Sequence, residues 1–221
     1  MELENCKRLV IVGNGGSSLN NKNGSFIDNS EIVIRIKGFV TEGFEDFVGT
    51  KTNIWCTKWF NYKKTFVDKI WLPFINPYSL IINKNIKKLN EFILINQFED
   101  RILDLEKHNN LIESIGIKNI VFVTESELLK CLSNLKMEFE QVYTKSGINM
   151  YHPTTYLLSI FLAIERFPEY KIYITGFDNF KKGYYWNLNE NKRINKTWPH
   201  QYEKEDLFLK KLTFNNKINL I

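Results

Sequence analysis

The stretch that decides the fold is RLVIVGNGGSS, residues 8–18 of a chain of 221 residues. Its first half, RLVIVG (8–13), is a short continuous apolar run that stops at a glycine, as a buried parallel strand does. Its second half, GNGGSS (13–18), is a glycine-rich turn whose backbone can approach a ligand closely and whose N–H groups can point at a phosphate. A plain tight turn is the alternative interpretation. The stretch therefore predicts a first strand that leads into a candidate phosphate-binding turn.

Apolar runs alternate with amphipathic stretches along the rest of the chain, and this pattern favours βαβ units around a largely parallel sheet. Predicted strands cover 8–13, 31–37, 52–57, 117–124, 170–176 and 218–221, and predicted helices cover 125–142, 153–167 and 203–212. Residues 58–115 fit several arrangements of helices and strands. Residues 178–199 form a long polar loop, of the kind that often closes over a site as a lid. We expect one α/β domain of Rossmann-like type over residues 1–221, with helices flanking the sheet and a lid near the C-terminus.

Composition and charge narrow the class of protein. The chain is 43% hydrophobic and 25% charged, as expected for a globular protein with a sizeable core. The net charge of +5, with a pI near 8.9, is spread along the chain, which predicts no nucleic-acid partner but allows peripheral contact with an anionic membrane. The three cysteines lack the spacing of a zinc site or a disulfide framework, which favours a reducing compartment. No export signal precedes the first strand, so we expect a cytoplasmic protein.

Two common nucleotide-binding signatures are missing from the sequence. A Walker loop would need GK[ST] after the glycines. A dinucleotide-binding fold would place Asp or Glu at the end of the second strand to hold a ribose, whereas this strand ends in Arg35-Ile36-Lys37. The second difference makes an NAD-dependent oxidoreductase the weakest of the functional alternatives. No DxD motif is present to hold a divalent cation under a diphosphate, so no metal site is predicted.

His200 is the best candidate for a catalytic base. It stands at the end of the lid and just before a predicted helix, where an imidazole can be partly exposed and can titrate near neutrality. General-base help is typically worth about 10²–10⁴-fold in rate. A surface or capping histidine is the alternative interpretation. His152 is a secondary candidate, and His108 is expected to be solvated.

Four pieces of the sequence, taken in order, resemble the sialylmotifs of the sialyltransferases, both the mammalian-type family and its bacterial relatives. The large motif is resembled by VIVGNGGS (10–17), Arg35 and TEGFEDFVGTKT (41–52), and the small motif by HPTTYLLSIFLAIE and YKIYITGFD (152–178). The third motif is resembled by GYYW (183–186), and the very small motif, HxxxxE, by His200 and Glu205. Four motifs in the right order are more specific than any one of them. The resemblance runs from about Val10 to Leu212 and leaves residues 58–145 unmatched.

The resemblance implies a metal-independent, inverting glycosyltransferase that needs no cofactor. It would transfer sialic acid from CMP-sialic acid to a hydroxyl of an acceptor glycan, as in the synthesis of lipopolysaccharide or capsule. This chemistry requires a base for the acceptor proton and donors that stabilise the departing phosphate. The alternatives are a transferase for another CMP-linked acidic sugar such as Kdo, and a non-catalytic nucleotide-binding module. The assignment depends on one cleft that contains both the His200 imidazole and the turn at Gly13.

The resemblance also implies which residues form the site. Tyr184 and Tyr185 would donate phenolic hydrogen bonds to the phosphate beside His200, although packing under the lid is an equally good interpretation of the tyrosines. Glu205 is expected to orient the loop rather than to act as an acid. The residues implied in nucleotide-sugar binding are Gly13, Asn14, Gly15, Gly16, Ser17, Arg35, Lys37, Thr154, Thr155 and Gly176. Helix capping is an equally plausible role for the two threonines.

Three positions depart from the family's motifs. Lys37 stands where an asparagine usually contacts the nucleotide, and Tyr156 stands where a glycine usually follows the threonine. Lys37 would bring a charged contact to the phosphate, and Tyr156 would crowd the path of the donor. Leu9 replaces a disulfide cysteine of the vertebrate members, which agrees with a reducing cytoplasm. These departures keep the class of enzyme and leave the donor sugar open.

Overall fold

The computed structural model describes residues 7–58, 91–95, 120–122, 130, 133, 141–144, 147–150, 154–178, 183–186, 188 and 202–221. The strands are β1 (Arg8–Val12), β2 (Ile32–Ile36), β3 (Ile54–Lys58), β4 (Glu91–Ile95), β5 (Ile120–Phe122), β6 (Gln141–Thr144), β7 (Gly147–Met150), β8 (Lys171–Thr175) and β9 (Asn219–Leu220). The helices are α1 (Gly24–Asp28), α2 (Glu45–Val48), α3 (Thr155–Arg166) and α4 (Tyr202–Phe214), and a 3₁₀ turn covers Gly16–Leu19.

Within these residues, seven strands form one parallel sheet in the order β5-β4-β3-β2-β1-β8-β9, while β6 and β7 form a separate antiparallel pair. The chain builds outward from β1 through β2 to β5 and then returns to β8 on the other side of β1. The order of the strands therefore reverses at β1. In open α/β sheets, ligands bind outside the carboxyl ends of the strands at such a switch point. The register pairs Val12 with both Arg35 and Thr175, so the chain leaves β1, β2 and β8 at one edge.

β1 is buried on both of its faces, which explains why its sequence is a continuous apolar run rather than an alternating one. Leu9 and Ile11 lie in the core on the side of α3. Val10 and Val12 lie in the second core, which contains α1 and α2 residues. Burial of each such side chain stabilises the fold by about 1.5–3 kcal/mol. The predicted α/β fold with a largely parallel sheet is confirmed.

α3 lies in the core, as its nearly all-apolar sequence predicts. Thr154 is its N-cap, with the hydroxyl accepting a hydrogen bond from the Leu157 N–H at 3.2 Å. Nine consecutive residues of the helix, from Thr155 to Ala163, are buried. Side-chain capping typically contributes about 1 kcal/mol to helix stability. The start of α3 is therefore a fixed point beside the carboxyl edge of the sheet.

Most predicted elements agree with the structure, and one does not. The helix predicted over 125–142 is too long, because Gln141 and Val142 belong to β6. Most of the region 58–115 lies outside the described residues, as does most of the predicted lid. Among the described residues, no helix is both long and apolar enough to cross a bilayer.

Candidate active site

The glycine turn after β1 is paired with the chain that leaves β8. The Gly13 N–H donates to the Thr175 carbonyl at 2.7 Å, and the Gly15 N–H donates to the Gly176 carbonyl at 3.0 Å. A Cβ on Gly13 would lie 2.5 Å from the Gly176 oxygen, which is closer than any side chain permits. Gly176 itself adopts φ +74°, a left-handed conformation that favours glycine. These glycines are therefore needed for two loops to touch.

The next two N–H groups of the turn are also used inside the protein. The Gly16 N–H donates to the Gly183 carbonyl at 2.8 Å, and the Ser17 N–H donates to the Asp178 carboxylate at 2.9 Å. A Cβ on Gly15 would lie 2.0 Å from the Asp178 Oδ1 atom. This corrects the prediction that the N–H groups of the turn point at a phosphate. The carboxylate of Asp178, which sequence reasoning did not single out, occupies the position expected for an anionic ligand.

Asn14 is the buried polar residue at the centre of this edge. Its side chain is 1% exposed, and its Nδ2 donates to the Ile36 carbonyl at 2.8 Å and to the Gly38 carbonyl at 2.7 Å. Both partners are carbonyl oxygens, so the amide orientation is fixed and both of its hydrogens are used. No described residue donates a hydrogen bond to the Asn14 Oδ1 atom. Asn14 can therefore offer a ligand only an acceptor.

Lys37 is held between the two carbonyls that Asn14 binds. Its backbone adopts φ +54°, which is unusual for a residue with a side chain. The conformation is fixed by two more hydrogen bonds, from the Lys37 N–H to the Cys56 carbonyl at 2.9 Å and from the Trp55 Nε1 to the Lys37 carbonyl at 2.5 Å. Burial lowers the pKa of the Lys37 ammonium, and the nearby Glu205 carboxylate opposes this effect. The strained backbone thus places a half-buried cation at the site.

Glu205 joins the starts of α3 and α4. Its carboxylate is 2% exposed and accepts hydrogen bonds from the Thr154 N–H at 2.9 Å and from the Thr154 hydroxyl at 2.5 Å. The capping role of Thr154 is confirmed, and Thr155 is buried in the first turn of the same helix. Because Glu205 also interacts with Lys37, the first turns of both helices and the end of β2 meet at one place.

Tyr156 lies beside Asn14, on the buried side of the candidate site. It is 8% exposed and packs edge-on against Phe177, with ring centroids 5.6 Å apart. Burial raises the pKa of the Tyr156 hydroxyl; the nearby Tyr184 adds to this shift, and the neighbouring Asn14 amide opposes it. The sequence identified Tyr156 only as a departure from the family's motif. The structure places it beside Asn14.

Tyr184 and Tyr185 lie next to the glycine turn but differ in their surroundings. Tyr184 forms a β-bridge with Gly15, is half-buried and stacks on Trp186, with ring centroids 4.9 Å apart. Tyr185 is fully buried, and its hydroxyl accepts from the Val40 N–H at 3.1 Å and donates to the Val40 carbonyl. Burial raises the pKa of Tyr185 to about 12. The Tyr185 proton is therefore used inside the protein in place of the predicted bond to a phosphate.

The Arg35 side chain is bonded inside the protein and does not face a ligand site. Its guanidinium is fully buried and lies 5.2 Å from the centroid of the Phe39 ring. Its Nε donates to the Lys51 carbonyl and the Thr52 hydroxyl. One Nη donates to the carbonyls of Val48, at the end of α2, and Gly49. These bonds fix the end of α2 and the loop after it. They take the place of the predicted contact between Arg35 and the nucleotide sugar.

His200, His152 and His108 lie outside the described residues, so the convergence of the His200 imidazole with the glycine turn stays a prediction. Glu205, five residues after His200, is at the edge of the sheet that the prediction requires. In the described part of the chain, no group of three or more His, Cys, Asp or Glu side chains could hold a metal ion.

The sheet order and its switch point at β1 define an α/β protein with a Rossmann-like parallel sheet. The chain belongs to glycosyltransferase family 29, the sialyltransferases, whose family model matches residues 1–217. The fold is similar to the crystal structure of a mammalian sialyltransferase, with a TM-score of 0.64, 18% identity, and coverage of 98% of this chain and 69% of that chain. The predicted family is confirmed.

Individual relatives match either a short segment at high identity or the whole chain at low identity. A rat CMP-N-acetylneuraminate-β-1,4-galactoside α-2,3-sialyltransferase is 49% identical over 49 residues, 22% of this chain and 13% of the relative. A β-1,6-galactosyltransferase of Arabidopsis thaliana, GALT29A, is 54% identical over 45 residues, 20% of this chain and 11% of the relative. The human type 2 lactosamine α-2,3-sialyltransferase is 25% identical over 226 residues. That match covers 96% of this chain but only 64% of the human protein.

Proposed function

We propose that this chain transfers a sugar from a CMP-linked donor, with sialic acid as the leading candidate, to a hydroxyl of an acceptor glycan. One observation carries the proposal. At the switch point of the sheet, the Asn14 Oδ1 acceptor and the half-buried Lys37 ammonium lie beside the Glu205–Thr154 junction. Together with membership of the sialyltransferase family, this arrangement supports recognition of a nucleotide that carries both hydrogen-bond donors and negative charge.

The two polar groups suit different parts of a CMP donor. Asn14 has only an acceptor to offer, so it fits a ribose hydroxyl or the cytosine amino group. The Lys37 ammonium fits the phosphate, and within the described residues it makes no hydrogen bond or ion pair of its own. As the bond between the sugar carbon and the phosphate oxygen breaks, its electron pair moves to the phosphate and adds negative charge there. Lys37 would therefore bind the transition state more tightly than the ground state.

His200 is proposed to take the proton of the attacking acceptor hydroxyl. The acceptor oxygen forms the new bond on the face of the sugar opposite to the departing CMP, so the anomeric centre is inverted. Support for His200 comes from its HxxxxE spacing to Glu205, which is anchored at the carboxyl edge of the sheet. No step of this scheme requires a metal ion, because CMP leaves with a single phosphate.

The identity of the transferred sugar is a separate part of the proposal. The chain is also similar to the Arabidopsis β-1,6-galactosyltransferase, so similarity alone does not fix the donor. Tyr156 fills space beside Asn14 and therefore favours a donor set different from that of relatives with glycine at this position. Another CMP-linked acidic sugar, such as Kdo, is the alternative, and a catalytically inactive nucleotide-binding protein would bind CMP without turnover.

A donor panel tests the proposal. Thermal unfolding is measured with CMP-sialic acid, CMP-Kdo and a UDP-sugar, and CMP release is followed with a galactoside acceptor. A ligand at 100 times its Kd stabilises the folded state by about 2.7 kcal/mol, which for a protein of this size raises Tm by roughly 5–10 °C. The His200→Ala variant should keep this shift and lose turnover. Failure of both CMP-sugars to raise Tm, or undiminished turnover in His200→Ala, would contradict the proposal.

A further inference from the structure

α4 carries an outward face that the core does not explain. Its inner side packs through Leu209 and Leu212, which contact the core cluster around α3. The residues of the outer face are exposed and share the spacing i, i+3, i+4, i+7, which puts them on one side of a helix. They are Leu207, Lys210, Lys211 and Phe214, and we call them the α4 stripe.

The stripe combines exposed apolar side chains with exposed lysines. Leu207 is 66% exposed and Phe214 is 86% exposed, the highest value among the large hydrophobic side chains that the structure describes. Lys210 and Lys211 lie between them, and neither makes an ion pair with a described residue. Of the acidic residues of α4 whose burial the structure describes, Glu205 is buried and Asp206 is partly buried.

The segment after α4 extends this surface. Lys217 is exposed in the turn that follows the helix, and Leu220 of β9 is 65% exposed. β9 pairs with β8 in parallel, with Tyr173 opposite Asn219, so continuing the register sets Lys171 opposite Lys217. Lys171 is exposed as well. Positive charge and apolar side chains therefore continue from the helix to the edge of the sheet.

We propose that the α4 stripe, with Lys217 and Leu220, is a docking surface for an anionic lipid bilayer. Lysines on such a face attract acidic headgroups while Leu and Phe side chains enter the interface. The like charge of the stripe disfavours a two-fold contact with a second copy of the chain, in which the lysines would face one another. This inference goes beyond the proposed function, and it gives a physical basis to the peripheral membrane contact that the net charge alone left open.

The placement of α4 follows from its two neighbours. It begins at the carboxyl edge, where Glu205 binds Thr154, and it runs back toward the amino ends of the strands, because β9 follows it and pairs with β8 in parallel. The exposed stripe covers about 10 Å of its flank.

Vesicle flotation tests the inference. The intact chain is mixed with vesicles of phosphatidylcholine alone or with 30 mol% phosphatidylglycerol added, at low ionic strength. We expect binding to the anionic vesicles only, reduced at least fivefold by Lys211→Glu, because each lysine near the surface contributes a factor of about five. Phe214→Ser should weaken binding without a change in net charge. Lys22→Glu is the matched control, since it makes the same charge change on an exposed residue that pairs with Asp46 of α2.

Three outcomes would overturn the inference. Equal loss in Lys22→Glu and Lys211→Glu would mean that only net charge matters. Absence of binding to anionic vesicles would remove the docking surface. Dimers that dissociate in Phe214→Ser would assign the stripe to a contact between copies. None of these measurements needs a sugar donor, so their results are independent of the proposed enzymatic activity.

Discussion

Replacement of Lys37 separates the cost of its backbone conformation from the use of its charge. The residue adopts φ +54°, which costs a residue with a Cβ roughly 1–2 kcal/mol. Glycine avoids this cost but carries about 0.5–1 kcal/mol of extra chain entropy into the unfolded state. Lys37→Gly should therefore be about 1 kcal/mol more stable than Lys37→Met. Both variants lack the ammonium, so its interaction with Glu205 cancels in this comparison.

The assay is urea or thermal unfolding at pH 7, where about 1 kcal/mol corresponds to a Tm difference of roughly 2–4 °C for a protein of this size. Asn216 provides a control, because it adopts φ +55° in an exposed turn and asparagine tolerates this region. Asn216→Gly should change stability by only a few tenths of a kcal/mol. If Lys37→Gly is no more stable than Lys37→Met, the strain is not borne by this residue.

The same variants test the charge in turnover. If the ammonium binds the departing phosphate, its removal costs a charge-assisted hydrogen bond of about 1.5–3 kcal/mol, or roughly 10–150-fold in kcat/KM. Lys37→Gly and Lys37→Met should lose turnover alike despite their different stabilities. If the less stable variant also loses more turnover, the result would refute a direct role for the Lys37 charge in turnover.

Two further predictions concern buried hydrogen bonds. Asn14→Asp leaves the Ile36 and Gly38 carbonyls without their donors and buries a carboxylate against them, so it should cost at least about 3 kcal/mol in urea unfolding; a loss below 1 kcal/mol would contradict this geometry. Tyr185 has its pKa raised to about 12, so the stability it contributes is fully present below its unfolded pKa near 10 and is lost as pH rises through 12. Tyr185→Phe should therefore lose less stability than the wild type between pH 9.5 and 11.5, and parallel pH profiles for the two proteins would count against burial of the phenol.

The sequence predicted the parts of the structure that depend on local pattern. β1 is a continuous apolar run that stops before a glycine, and α3 begins with a threonine cap before nine buried residues. The helix predicted over 125–142 extended too far, because Gln141 and Val142 pair with a later strand in an antiparallel ladder. That pairing is a contact between two segments, and helical periodicity alone does not report it.

The roles of individual site residues were harder to predict, because they depend on which long-range partner takes each hydrogen bond. The sequence placed Asn14, Lys37, Thr154 and Glu205 near the site, and the structure brings these four together. It could not show that the Tyr185 hydroxyl is used by Val40, 145 residues away in sequence. The family motif fixes which residue types are present. Burial and contacts between distant segments decide which of their polar atoms remain available to a ligand.

The use of the turn N–H groups inside the protein changes how this site must recognise phosphate. In dinucleotide-binding folds, the N–H groups after the first strand bind a pyrophosphate directly. Here those of Gly13, Gly15, Gly16 and Ser17 are bonded to other parts of the chain. In the proposed function, recognition of negative charge therefore falls on a side chain, and Lys37 is the cation that we propose for it. A single ammonium suits one phosphate better than two, which agrees with the proposed nucleoside monophosphate donor.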